Sequence, residues 1–130
     1  MVAATAADAE ELRWWANCTG VTGAPFDSWL TLRGLRTLQV RLERQQATAA
    51  RVAARLPELP TVAAVHYPGL ESHPDHALAA RQQRGFGAML SFEVASNVDV
   101  KTRCKGLQHC ALAESLGGIE SLIAHPATMT

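Results

Sequence analysis

The sequence has 130 residues, enough for one domain with a modest hydrophobic core. Basic and acidic side chains number 12 each, so the formal net charge is zero and favours neither nucleic acid nor an anionic membrane as a partner. No apolar run is long enough to cross a bilayer, no signal peptide is predicted at the N-terminus, and the odd set of three cysteines favours a reducing cytoplasm.

The N-terminal segment predicts a helix. Asp8 followed by Glu11 fits an N-cap with a capping box, and the helix continues through "AEELRWWANC" to a stop near Gly20. An apolar stripe predicts that one face is buried, and it consists of Leu12, Trp15 and Cys18. Two glycines and a proline within residues 19–27 then indicate a loop.

A long second helix is predicted over residues 28–56, with Asp27 or Ser28 as its cap. Its apolar seam consists of Leu35, Leu38, Leu42, Ala49, Val52 and Leu56. Gly34 costs a helix interior about 1 kcal/mol relative to alanine, which suggests the close approach of another backbone. The segment "PELP" is predicted to end the helix.

The remaining residues predict alternating strands and helices. A strand is expected over 61–68, a short helix over 76–83 and a strand that begins with glycines over 85–95. Residues 97–110 have a helical apolar face, and an extended segment, a Gly-Gly turn and a second extended segment follow from Ala111. Two helices followed by this alternation indicate α+β or α/β layering.

The polar clusters favour structural roles over metal binding. His73 and His76 have a spacing found in some metal sites, but no cysteine pair or carboxylate motif completes a ligand set. Cys104 and Cys110, with His109 nearby, are interpreted as packing residues. The arginines of the long helix have no interleaved aromatic residues, so a solvated or subunit-facing surface is expected rather than an RNA site.

The two lysines do not have the pattern of a reactive amine. Lys101 and Lys105 lie away from the apolar stripe of their predicted helix, so both are expected to face solvent. A lysine that binds a cofactor carbonyl covalently needs burial and a lowered pKa. No catalytic lysine is therefore assigned.

The segment "ALAESLGG" is the most site-like part of the sequence. A strand that stops at Ser115 and turns at Gly117–Gly118 presents a hydroxyl together with unpaired backbone N–H groups. Converging neutral donors of this kind suit a small anion such as a carboxylate. An ordinary Gly-Gly hairpin without a site is the alternative interpretation.

Three stretches resemble the Cys/Met-metabolism family of pyridoxal-phosphate-dependent enzymes. They are "WWANCTGVTGAPFDSWLTLRGLRTLQVR", "ARQQRGFGAMLSFEV" and "LAESLGGIESLIAHPATMT", in the family's order and spacing, and the resemblance covers Val2–Thr130. Within the family, "WWAN" before "GVTG" and Glu114 before the serine are more similar to bacterial cystathionine γ-synthases than to β-lyases. The γ-lyases share the glutamate and stay as the alternative.

The resemblance implies an α/β fold, specifically the α+β-like C-terminal part of a fold-type I pyridoxal-phosphate-dependent transferase. That part consists of a helix, a long connecting helix and a small, mostly antiparallel sheet with helices on one side. Residues 1–27 would then be the end of the large cofactor-binding domain with its interdomain loop. Residues 28–56 would be the connecting helix, and residues 57–130 a truncated C-terminal domain.

The resemblance also implies an activity, with pyridoxal phosphate as the electron sink. Such enzymes eliminate succinate or another carboxylate from an O-acylated homoserine and add the thiol of L-cysteine at the γ carbon, a transsulfuration step of methionine biosynthesis. Ser115 matches the serine that helps to hold the substrate α-carboxylate, Glu114 matches a residue that lines the substrate pocket, and Thr130 matches a threonine near the bound substrate. Small amino acids are the implied ligands, and the tetrameric family implies a homo-oligomer or association with a full-length relative.

The sequence also departs from the family pattern. The Ser-x-Thr-Lys type motif with the cofactor lysine does not occur among the 130 residues, nor does the phosphate-binding glycine segment. Cys104 and Cys110 stand where relatives usually have large apolar or aromatic residues, so looser packing is expected. We therefore expect a fragment that is inactive alone, with a non-catalytic oligomerising remnant as the alternative.

Overall fold

The computed structural model describes residues 3–129 of the chain, which divides into two compact units, Met1–Thr37 and Leu38–Thr130. The first unit contains the helices α1 (Ala6–Thr19) and α2 (Pro25–Leu35). The second unit contains helices and strands in the order α3 (Leu38–Arg55), a 3-10 turn (Leu56–Glu58), β1 (Val62–His66), α4 (His76–Gln82), β2 (Ser91–Val94), α5 (Val100–Lys105), β3 (Ala111–Leu112), β4 (Leu122–Ile123) and α6 (Pro126–Met129).

The capping box of α1 lies three residues earlier than the sequence analysis predicted. The Thr5 hydroxyl accepts a hydrogen bond from the Asp8 N–H at 3.1 Å, and the Asp8 carboxylate accepts one from the Thr5 N–H at 3.2 Å. Asp8 is thus the reciprocal partner in the first turn and not the N-cap, so the predicted Asp8–Glu11 pair is wrong. The predicted stop is confirmed, because Gly20 adopts the left-handed conformation with φ 66°.

The predicted single helix over residues 28–56 is wrong, because α2 and α3 are separate helices. The Thr37 N–H donates to the Gly34 carbonyl at 3.3 Å, a three-residue step that tightens the chain and ends α2. The first helical residue of α2 is Pro25, which has no N–H to leave unpaired there, so neither Asp27 nor Ser28 is the cap. The three-part domain division stays a prediction.

The second unit has two separate two-stranded sheets, so the predicted mixture of helices with a small sheet is confirmed. β1 and β2 pair antiparallel, with His66 opposite Ser91 and an irregularity between Val62 and Ala64. β3 and β4 pair in parallel, with Ala111 opposite Leu122. The hairpin alternative for the Gly-Gly segment is therefore wrong, because parallel strands require a crossover connection.

Two elements of the second unit are shorter than predicted. β2 begins only at Ser91, because the glycine-containing segment before it includes Gly87 at φ 81°, a conformation that does not belong to a strand. α5 ends at Lys105, with Gly106 as its C-cap, and not at Cys110. Hydrogen bonds from the Thr102 hydroxyl and N–H to the Asp99 carboxylate cap α5 and hold the pKa of Asp99 below its usual value.

The core of the second unit is small and lies between α3, β1 and the segment before β2. Tyr67 is 2% exposed and packs with Ala49 and Ala53 of α3. Its hydroxyl donates to the Gly87 carbonyl at 3.0 Å, and burial raises the pKa of this phenol. The Phe86 ring lies edge-on to Tyr67, with ring centroids 6.4 Å apart, and extends the core.

The inward face of α3 differs from the predicted seam. Ala49 is buried as predicted, but Leu42 and Val52 are exposed and Ala53 is fully buried. Three polar side chains of α3 are also partly buried, namely Arg41, Gln45 and Gln46. Polar groups are buried at low cost when they are hydrogen-bonded, and each of these three binds backbone of a glycine-containing segment.

The first unit has no buried residue among those that the structure describes. The α1 stripe predicted to be buried is exposed, with Leu12 39% and Trp15 52% exposed. Trp14 and Trp15 make an edge-on pair, and Phe26 and Trp29 make a stacked pair, so these aromatic rings contact each other rather than a core. None of the helices within residues 3–129 is long and apolar enough to cross a membrane.

Candidate functional site

The predicted anion site lies on the connection between β3 and β4, residues 113–121, which we call the site loop. The Ala111 N–H donates to the Ser121 carbonyl at 2.9 Å, and the Ala113 N–H donates to the Ile123 carbonyl at 3.2 Å. These two bonds hold the ends of the loop together. β3 ends at Leu112, three residues before the predicted strand end at Ser115.

Glu114 and Ser115 are adjacent and exposed on the site loop. The backbone amides of residues 114–119 have no protein acceptor within the described part of the chain. A free hydroxyl and open amides therefore occur on one short segment, which is the donor set that the sequence analysis proposed for a small anion. The assignment of Glu114 and Ser115 as substrate-binding residues stays a prediction.

Two side chains of α3 bind the glycines of the site loop. The Arg41 Nε donates to the Gly117 carbonyl at 3.3 Å, and the Gln45 Nε2 donates to the Gly118 carbonyl at 2.7 Å. Gly117 has φ 72°, so a side chain there would be strained. Neither Arg41 nor Gln45 was predicted to contact the site, although a pair of polar residues four apart on the otherwise apolar side of a helix was a signal for it.

The third predicted substrate-binding residue, Thr130, lies outside the described residues. The segment before it forms the short helix α6 after β4. There the His125 Nδ1 and the Thr128 hydroxyl are 2.9 Å apart, and the His125 N–H donates to the Met129 sulfur at 3.3 Å. These local contacts shape α6.

The lysines of this chain do not fit a covalent cofactor site. Lys101 and Lys105 are both exposed on α5, as the sequence analysis predicted. An exposed ammonium is strongly hydrated and lacks the burial that activates a lysine toward an aldehyde. The described residues therefore supply no anchor for pyridoxal phosphate, and we assign this chain no step that passes through it.

The histidine and cysteine clusters have local structural contacts. The His73 Nδ1 accepts from the Asp75 N–H at 3.1 Å, while the His76 ring stacks on Phe86 and its Nδ1 lies 2.7 Å from the Pro68 carbonyl oxygen. Within residues 3–129, no group of three histidine, cysteine or acidic side chains could hold a metal ion. Cys104 and Cys110 are free thiols and partly buried.

Neither of two surface clefts is lined by residues of the site loop. One has a volume of about 420 Å³ and is lined by α3 and the 3-10 turn, including Arg51, Val52 and Leu59. The other has a volume of about 300 Å³ and lies along α1, at Asp8, Glu11, Leu12 and Trp15. The candidate site is thus an exposed loop of defined geometry rather than an enclosed cavity.

The sequence of the chain is similar to the sequences of known enzymes that act on cystathionine or form it. Cystathionine γ-synthase of Escherichia coli (strain K12) is 53% identical over 121 residues, which cover 92% of this chain and 31% of that protein. Cystathionine β-lyase of Coxiella burnetii is 49% identical over 125 residues, which cover 94% of this chain and 32% of that protein. The chain thus spans about a third of the length of the curated relatives it matches.

The fold of the chain is also similar to that of a solved cystathionine γ-synthase. The crystal structure of cystathionine γ-synthase from Xanthomonas oryzae pv. oryzae, in complex with aminoacrylate and cysteine, is 55% identical with a TM-score of 0.88, and the match covers 99% of this chain and 34% of that one. The profile of the Cys/Met metabolism PLP-dependent enzymes matches residues 1–130. The chain therefore belongs to the family of Cys/Met metabolism PLP-dependent enzymes.

Proposed function

We propose that this chain is the substrate-binding part of a cystathionine γ-synthase-type enzyme. Such an enzyme replaces the acyloxy group of an O-acyl-L-homoserine, released as a carboxylate, with the sulfur of L-cysteine to give cystathionine. The observation that carries the proposal is the 53% identity with the Escherichia coli γ-synthase over 121 residues, which include the site loop with its exposed Glu114 and Ser115. When bound, pyridoxal phosphate supplies the electron sink for this chemistry.

The proposed roles are those that the resemblance to the family implies, and the exposure of Glu114 and Ser115 on the site loop supports two of them. The Ser115 hydroxyl donates a hydrogen bond to the α-carboxylate of the amino-acid substrate, and open amides of the same segment add neutral donors. Hydrogen bonds to a charged group contribute about 1.5–3 kcal/mol each, so the loss of one hydroxyl has a measurable effect. Glu114 lines the pocket beside the serine, and Thr130 lies near the bound substrate.

A chimeric enzyme tests this proposal. The matching residues of the Escherichia coli γ-synthase are replaced with this chain, and cystathionine formation from O-succinyl-L-homoserine and L-cysteine is measured. We expect an active chimera in which Ser115→Ala lowers kcat/KM by about 10–100-fold, the loss of one hydrogen bond to a charged group. The control is Ser121→Ala, which removes an exposed hydroxyl at the other end of the site loop.

Two outcomes of the chimera experiment contradict the proposal. One is a folded chimera that binds the cofactor but forms no cystathionine. The other is a Ser115→Ala chimera as active as the unsubstituted one. For the 130-residue chain alone, we expect no internal-aldimine absorbance with pyridoxal phosphate and no cystathionine formation, because neither Lys101 nor Lys105 has the burial that a catalytic Schiff-base lysine needs, and a borohydride-stable pyridoxyl adduct on either lysine together with turnover would contradict this.

A lyase that cleaves cystathionine is the second candidate. The 49% identity with the Coxiella burnetii β-lyase favours it, and the γ-lyases also share the glutamate at position 114. The same chimera distinguishes the two activities when it is supplied with cystathionine alone. If the chimera releases a keto acid from cystathionine faster than it forms cystathionine from O-succinyl-L-homoserine, the lyase is favoured. If cystathionine formation is the faster reaction, the synthase is supported.

We also propose that the chain self-associates or binds a full-length relative. The first unit supports this, because its described residues leave Trp14, Trp15, Phe26 and Trp29 more than half exposed. Exposed apolar surface of this extent is typical of protein interfaces. Sedimentation velocity is expected to show dimers or larger species, and a monomer at micromolar concentration that unfolds cooperatively would contradict self-association.

A further inference from the structure

The polar side chains on the inward face of α3 meet the backbone of two glycine-containing segments. Gln45 and Arg41 donate to successive carbonyls of the site loop, those of Gly118 and Gly117. Gln46, the neighbour of Gln45, accepts from the Gly87 N–H at 3.1 Å. These contacts join residues more than 40 positions apart in sequence, so they fix tertiary structure rather than the helix itself.

We infer that Gln45 and Arg41 are positioning residues for Ser115, because they hold the site loop in the conformation that presents its hydroxyl. This inference rests on the proposed function, in which Ser115 binds the substrate carboxylate. The hydrogen bonds of Gln45 and Arg41 are to the backbone of the site loop. Both act on the loop two and three residues beyond Ser115, at Gly117 and Gly118.

The geometry assigns the larger share of this role to Gln45. Its bond to the Gly118 carbonyl is 2.7 Å long, at the short end of the N–H···O range, while the Arg41 bond to Gly117 is 3.3 Å long and weaker. A Cβ built at Gly118 would lie 2.8 Å from the Glu120 carboxylate, which is the flexible end of its side chain and can move. Of the two α3 contacts with the loop, the one to Gly118 is the shorter.

The only other strong constraints on the site loop, within the described residues, lie at its ends. The Ala111–Ser121 and Ala113–Ile123 backbone bonds close the loop, but residues 114–119 make no backbone–backbone hydrogen bond within the described part of the chain. Leu116 and Ile119 are 74% and 86% exposed, so apolar packing does not order the loop either. Without the α3 contacts, the segment that contains Ser115 is expected to become flexible.

Backbone NMR relaxation of the 130-residue chain tests the inference without any substrate. In the unsubstituted chain we expect order parameters near 0.85 for the amides of Ser115 and Gly117, and values below about 0.6 in Gln45→Leu. Gln45→Lys, which restores a donor at the same place, should return them toward 0.85. The matched control is Gln39→Leu on the exposed side of α3, where the glutamine side chain binds Glu43.

Several outcomes would overturn the inference. They are order parameters below 0.6 in the unsubstituted chain, an unchanged site loop in Gln45→Leu, and no recovery in Gln45→Lys. The Tyr67 amide reports whether the core stays folded in each variant. If Gln45→Leu does not fold, nuclear Overhauser contacts from the Gln45 side-chain amide to the Gly118 and Ile119 backbone in the unsubstituted chain decide the question, because their absence overturns the inference.

The two proposals fail in different ways. If the site loop is flexible in the unsubstituted chain, the positioning role of Gln45 is contradicted. That result does not contradict the proposed function. A Ser115→Ala chimera as active as the unsubstituted chimera removes the proposed role of Ser115, whatever the order parameters of the loop show. In the chimera, Gln45→Leu is expected to raise KM for O-succinyl-L-homoserine about tenfold with a smaller change in kcat, as for lost ground-state binding.

Discussion

The two units of the chain use their aromatic residues in opposite ways. In the second unit, Tyr67 is 2% exposed and packs against α3, β1 and Phe86. In the first unit, Trp14 and Trp29 are 58% and 56% exposed and pair with other exposed aromatic rings. Large apolar side chains alone therefore do not form a core, because a core needs a second layer of structure to cover them.

The second unit is stabilised by tertiary packing, and the first unit by the local interactions of its helices. The second unit has a helix, an antiparallel strand pair and a glycine-containing segment that enclose one tyrosine. The first unit has two helices whose hydrogen bonds and caps are local, so its helices gain little from tertiary packing. Substitutions should consequently have large effects in the second unit and effects on the scale of single helices in the first.

The largest difference is expected between Tyr67→Ala and Trp14→Ala. Tyr67→Ala removes a buried ring and leaves the Gly87 carbonyl without its donor, which should lower the free energy of unfolding by about 3–5 kcal/mol. Trp14→Ala removes an exposed ring and should change it by less than about 0.5 kcal/mol. Urea unfolding followed by circular dichroism measures both, and equal losses would contradict the contrast between the units.

A smaller effect, of opposite sign in the two units, is expected from two glycine substitutions. A Cβ at Gly85 would overlap the Gln46 side-chain oxygen, so Gly85→Ala should displace Gln46 from the Gly87 N–H and destabilise the chain by about 1 kcal/mol. Gly34 has open space around it near the end of α2, so Gly34→Ala should stabilise that helix by about 1 kcal/mol.

Thermal unfolding of both glycine variants measures these effects. The two variants carry the same added methyl group, so each is the control for the other. A stabilising Gly85→Ala would show that the Gln46 contact with Gly87 contributes nothing to the second unit. A destabilising Gly34→Ala would show that the first unit packs more tightly around α2 than the structure indicates.

The smallest effect is expected at the N-terminus of α1. Thr5→Ala removes the hydroxyl that accepts from the Asp8 N–H, and in an exposed helix this should cost about 0.5 kcal/mol. Amide hydrogen exchange of the first turn should become about twofold faster. Glu11→Ala is the control, because the structure gives Glu11 no part in the cap. An equal effect of both substitutions would contradict the assignment of Thr5 as the N-cap.

Prediction from the sequence succeeded where residues that border a helix or strand determine where it begins and ends. β1 and α4 lie within one or two residues of their predicted limits, because prolines and glycines border them. The end of α1 was predicted correctly, since Gly20 is the residue that adopts the left-handed conformation. The identification of the family was also confirmed, because motifs such as "ESLGG" are specific in order and spacing.

Prediction failed where distant segments decide the outcome. Helical periodicity selected Leu42 and Val52 as the inward face of α3, while the structure turns Gln45 and Gln46 inward. The partners of these glutamines lie at Gly118 and Gly87, and no local pattern relates residues so far apart. The pairing direction of β3 and β4 was likewise missed, because a Gly-Gly segment is as typical of a hairpin as of a crossover.

The sequence by itself determined the family of this protein, most of its helices and strands, and the residues proposed to bind substrate, since each depends on side chains close together along the chain. Only the tertiary structure decided which face of α3 is buried, that the site loop joins parallel strands, and that Gln45 binds the loop at Gly118. The physical reason is that hydrogen bonds and burial depend on distance in space, and the chain must be folded before distant residues become neighbours.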